Sequence, residues 1–173
     1  MSTQVGVPPV WALSLAYWLH MLATILWVGG LSAVVLLVLP AARQGLEAEQ
    51  YARLLDKIQR RLDPLGWLSL AVLLGTGLFQ MNANPNYTGL LAIGSRWAVA
   101  ILIKHLVFLV MIAVSAYLTW VLLPTLRRIT LLRARGQEVA GAERLARRER
   151  LFLRLNLILG VIILALTSLA RAS

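Results

Sequence analysis

At 173 residues, with 60% hydrophobic side chains, a mean hydropathy of +0.77 and 14% charged residues, the chain is more apolar than a soluble domain, which sits near about 45–50%. The absence of cysteine excludes disulfides, thiolate metal sites and iron–sulfur ligation. The formal charge of +10 comes from basic residues that flank apolar runs, so it reads as a topology signal and not as a nucleic-acid surface. An integral membrane protein is expected, organised as one domain over 1–173.

Residues 1–9 carry no Lys or Arg, and the apolar run after them is too long for a secretory signal, so the first segment is expected to stay in the mature protein. That segment covers 10–39, with Pro8 and Pro9 before it and Pro40 expected to end it. It exceeds the ~20 residues that cross a bilayer, so tilt or an emergent end is expected. Residues 41–63 hold Arg43, Arg53, Lys57, Arg60 and Arg61 among Glu47, Glu49 and Asp56, a pattern that predicts a short surface helix. The second segment covers 62–81, and the uncharged, turn-rich residues 82–95 predict an ordered loop. The third covers 96–123, ended by Pro124. An arginine-rich stretch over 127–150, split by Gly136 and Gly141, predicts a helix–turn–helix excursion at the membrane surface. The fourth segment covers 151–170.

Fourteen of the seventeen Lys and Arg fall in the two stretches that follow segments 1 and 3, the second extended to Arg154. The positive-inside rule then places both stretches in the cytoplasm and both termini outside. The expected fold is an all-α, four-helix up-down bundle, N-out and C-out, with short amphipathic cytoplasmic helices in the basic loops. The expected location is a bacterial-type inner membrane.

Two histidines lie inside apolar segments, His20 and His105, and the chain has no others. An ionisable group in hydrocarbon is costly and reads as functional. Segments 1 and 3 run in the same direction, so each histidine is expected roughly 15 Å below the outer surface, at 1.5 Å per residue. First and third helices are diagonal neighbours across an up-down bundle. Two imidazoles at one level on such helices suit the axial positions of a b-type haem. Gly75, Gly77 and Gly160 on the intervening helices lie close to that level and leave room for a macrocycle, although glycines also simply allow close helix packing. Lys104 is expected to snorkel outward or to meet a propionate or substrate carboxylate. Arg96 at the rim is an interfacial anchor or a propionate partner.

The stretch His20, Trp27-Val28-Gly29-Gly30-Leu31 and Leu39-Pro40, with Leu102-Ile103-Lys104-His105-Leu106 in the third segment, resembles the copper-resistance D (CopD) family of bacterial membrane proteins. The same helix-1 spacing and the helix-3 lysine look like the J-type protoporphyrinogen oxidases (HemJ). That likeness implies a haem b protein in which His20, Trp27 and Lys104 matter, Lys104 as a candidate catalytic residue. The further histidines usual in the J-type pattern are not found here.

Three functions follow as expectations. The first is a haem b protein ligated by His20 and His105, in one-electron exchange with a quinone, a redox partner protein or another copy of the chain. The second is copper uptake or resistance, with His20, His105, Met21, Met81 and Met111 as candidate ligands, since copper(I) takes imidazole and thioether donors. The third is a cofactor-free structural subunit. The lipid bilayer is the one partner common to all three, and nucleic acid is expected in none.

Overall fold

Pro9 carries the last extended backbone before the first helix, and its carbonyl accepts from the amides of Ala12 and Leu13. From there a computed structural model, which describes residues 8–134 and 141–172, is built of four long helices: α1 (Val10–Gly45), α2 (Ala48–Asn82), α3 (Arg96–Ile129, its last turn continuing to residue 134) and α4 (Ala142–Ala172). All four are long and apolar enough to cross a membrane. Residues 1–7 and the turn expected about Gly136 lie outside the described residues.

The helices run beyond the apolar segments. Pro40 and Pro124 do not end α1 and α3. Each is preceded by a π-helical stretch, Ala33–Val38 in α1 and Leu118–Leu122 in α3, which stops two residues short of the proline. A proline removes one donor and crowds the carbonyl four residues back. Widening the preceding turn to i→i+5 relieves that crowding and lets the helix continue, as membrane helices commonly do. A further π-helical turn, Ile25–Gly29, lies five residues past His20. The basic stretches are helical, as expected, but as extensions of the spans and not as separate elements. The link between α1 and α2 is only Leu46 and Glu47, and Glu47 caps α2 through a reciprocal box with Gln50.

The helices pack in a ring. α1 lies against α2 and α4, and α3 lies mainly against α4 and touches α2 near the basic end, so α1 and α3 are diagonal. At the end that holds the termini, Met81, Trp97, Ala98, Ala100 and Ala170 form one buried cluster. Toward the basic end, Val34, Val35, Leu39 and Leu55 form a second, and Val114, Leu118 and Leu122 a third. Between α2 and α3, Trp67 and Trp120 stack with centroids 5.0 Å apart. Asp56 of α2 holds Arg127 of α3 and Arg60 of its own helix at the basic end. The outward faces expose Trp11, Trp18, Met21, Leu68, Leu109 and Ile158, a surface suited to lipid and not to water.

Candidate functional site

His20 faces α2. Its Nδ1 lies 2.8 Å from Oγ1 of Thr76, and that hydroxyl donates its single proton to the carbonyl of Val72 at 2.6 Å. The hydroxyl can therefore only accept from the ring, so Nδ1 carries a proton, and a neutral ring has its lone pair on Nε2. A second residue on the same face makes room for the ring: a Cβ added at Gly77 would meet Cε1 of His20 at 3.5 Å. One turn outward, Nε2 of Gln80 donates to the carbonyl of Ala16, and this contact fixes the register of α2 against α1.

The ring of His105 is held by a different acceptor. Its Nδ1 lies 2.7 Å from the carbonyl of Ile101, one turn back in α3. A carbonyl cannot donate, so Nδ1 again carries a proton and Nε2 is the nitrogen without a protein partner. A hydrogen bond on one imidazole nitrogen that orients the other is the usual support of a metal-ligating histidine.

Three further groups surround His20. Lys104 of α3 and Arg171 of α4 lie close enough for their charges to act on its ring, and Arg171 likewise acts on Lys104. The guanidinium of Arg171 also sits 5.8 Å over the ring of Tyr17. The prolines show why Lys104 arrives at this level: His20 lies twenty residues before Pro40, and Lys104 lies twenty before Pro124. The site thus takes one residue or more from each helix: Tyr17 and His20, Thr76 and Gly77, Lys104, and Arg171. Arg96 stands exposed at the start of α3, beside the Ser95 cap whose Oγ accepts from the Ala98 amide.

The other residues singled out from the sequence lie elsewhere. A Cβ built on Gly160 would meet Val28, eight residues along α1 from His20, so this glycine serves α1–α4 packing toward the basic end. Gly75 faces open space, whereas its neighbour Gly77 is the glycine at the imidazole. Trp27 packs edge-on against Gly66 of α2. Of the methionines, Met21 is exposed, Met111 is fully buried and Met81 belongs to the cluster at the terminal end. Among the described residues, no group of three or more His, Asp or Glu side chains is arranged to hold a metal.

A polar layer that the segment pattern does not reveal runs through the basic half of the bundle. Asn156, 2% exposed, donates from Nδ2 to Oγ of Ser115, which donates on to the carbonyl of Met111. Gln59 donates to the buried carboxylate of Glu149 at 2.7 Å. Of the acidic residues, Glu149 is 4% exposed and Asp63 lines a cavity between the helices. Thr76 and Gln59 carry no motif. The one available signal was a Thr, Ser, Gln or Asn inside an apolar helix, which in hydrocarbon needs a partner.

The fold and site define a multi-pass helical membrane protein with an oriented imidazole set among cations in its terminal half. The family model of copper resistance protein D matches residues 56–170, about two thirds of the chain, and the protein belongs to that family. Comparisons with curated proteins and with solved structures give no match.

Proposed function

We propose that this protein handles copper within the bilayer, with Nε2 of His20 as the principal metal ligand. The observation that carries the reading is the His20–Thr76–Val72 chain, which fixes the tautomer and leaves Nε2 free. Imidazole suits copper in either oxidation state, and the family supports copper as the cargo. His105, with its own free Nε2 on the diagonal helix, is the second donor we assign. Lys104 and Arg171 oppose a bare cation at this place. The copper is therefore held together with an anionic ligand, which the two cations bind. The charge pattern supports a site in the outer half of the membrane, which we take to be a bacterial-type inner membrane, with the Arg-rich helix ends in the cytoplasm.

The same two cations support a second reading, haem b between α1 and α3. There the imidazoles would supply the axial ligands and Lys104 and Arg171 would pair with the propionates. This is also the form in which the J-type oxidase likeness and a catalytic Lys104 would carry over.

Copper titration and an optical spectrum of detergent-purified protein separate the two. The copper reading expects stoichiometric copper retention in the wild type, strong loss in His20→Gln and no Soret band. A Soret band lost in His20→Gln would replace it with the haem reading. Copper retention untouched by His20→Gln, without a Soret band, would overturn both.

A further inference from the structure

A cavity of about 270 Å³ lies between the His20 level and the basic end, and all four helices line it. Its walls are mostly apolar and include two indoles, Trp27 and Trp67. Ile25, Leu26 and Leu65 line it and are also 66%, 50% and 48% exposed on the outer face, so its mouth opens to hydrocarbon. Among the described residues that line it, Asp63 is the one ionisable side chain.

Helix phase turns Asp63 toward this space. Gln59 and Gly66, four residues before it and three after, line the cavity too, so Asp63 lies on the stripe of α2 that faces it. Its carboxylate makes no hydrogen bond or ion pair among the described residues, and neither oxygen is closed off from the surface. Arg127 is the cation whose charge reaches it, and Arg127 is held by Asp56. Arg60 is likewise held by Asp56, and Arg61 is exposed. A carboxylate on an apolar wall inside a membrane span is costly without a counter-charge. The walls supply none, so a ligand has to bring it.

The same walls define that ligand. An inorganic cation needs a shell of donor atoms, and no group of three or more His, Asp or Glu side chains is arranged to give one among the described residues. An alkylammonium group needs no such shell: a carboxylate balances its charge and indole faces attract it. An apolar body on that group suits the walls and enters through the lipid-facing mouth. The volume falls just below the roughly 300–1,000 Å³ of small-molecule sites, so it takes one ring with its ammonium substituent.

We infer that this cavity is a binding site for a small lipophilic organic cation, with Asp63 as its counter-charge and Trp27 and Trp67 as aromatic walls. A neutral body of the same shape loses the ion pair and binds more weakly. The site is separate from His20 and does not depend on which metal group that residue holds.

The test is titration of the full-length protein in phosphatidylcholine nanodiscs with benzyltrimethylammonium and, separately, with its neutral isostere neopentylbenzene, read by tryptophan fluorescence and calorimetry. The cation is expected to saturate and to bind about ten-fold more tightly than the isostere, the value of one half-buried ion pair. Asp63→Asn, which keeps the shape and removes the charge, is expected to erase that preference, and Asp63→Glu to keep it. Gly30→Leu, at a position on the cavity wall where an added Cβ meets only Leu62 at 3.9 Å, is expected to fill the space and abolish binding of both compounds. The wild-type comparison reads the charge and Gly30→Leu reads the place, so a folding failure of Asp63→Asn leaves the test intact. Linear, non-saturable partitioning of the cation would overturn the assignment. So would a preference for the cation that Asp63→Asn leaves unchanged, or cation binding that Gly30→Leu leaves unchanged.

Discussion

Two glycines on α2 offer the same chemical change with opposite expected outcomes. At Gly66, an alanine Cβ would sit 2.6 Å from Cζ3 and 3.2 Å from Cε3 of Trp27. Those atoms belong to the rigid six-membered edge of the indole, so the whole ring must rotate or slide into the neighbouring cavity. Such overpacking costs about 1–3 kcal/mol. At Gly75 nothing lies within 4 Å of the built Cβ. Replacing a mid-helix glycine with alanine there returns up to about 1 kcal/mol of helix propensity. That gain applies at both positions and cancels when the variants are compared. Gly66→Ala is therefore expected to be less stable than Gly75→Ala by about 1–3 kcal/mol, the overpacking term alone. Equilibrium unfolding in mixed micelles, followed by helical circular dichroism, measures the difference. Equal stabilities would refute the placement of Trp27 against Gly66, and with it the α1–α2 packing that orients the cavity.

Thr76→Val keeps the volume at the imidazole but removes the acceptor for His20 Nδ1–H; copper affinity is expected to fall about 10–100-fold, measured by competition with a chelator. At the buried pair on α2 and α4, Glu149→Gln retains an acceptor for Gln59 and is expected to be nearly neutral, whereas Gln59→Leu strands a buried carboxyl and should cost about 1–3 kcal/mol by the same unfolding assay. The partly exposed Asp56–Arg127 pair is expected to contribute at most about 1 kcal/mol in a double-mutant cycle, and less in high salt.

Much of this architecture is legible in the chain. Four apolar runs and two basic stretches define the helices and their alternation, because a span must satisfy its backbone internally and the sequence then has little choice but helix. The ends were harder to read. Pro40 and Pro124 look like terminators, and only the π-helical turns before them explain why they are not. His20 stands out because a histidine in hydrocarbon is conspicuous. Its neighbours are not conspicuous. Thr76 is one of many small polar residues, and Arg171 reads as a chain-end charge until α4 is seen to return it to Tyr17 and His20. Gly160 shows the limit of reasoning by depth. Gly160 lies about ten residues from the outer end of its apolar run, as His20 does, yet a Cβ on it meets Val28, eight residues along α1 from His20. The inward carboxylates are equally inconspicuous: Asp63 and Glu149 lie at the borders of basic stretches, where sequence position alone suggests solvent, yet helix phase turns them into the bundle.

The central claim is that His20 offers Nε2 to copper. X-ray absorption at the copper edge of the loaded protein addresses that bond itself. Imidazole scattering is expected in the wild type, lost or halved in His20→Gln and retained in Lys104→Met. A copper spectrum whose imidazole contribution is the same in His20→Gln as in the wild type would contradict the account.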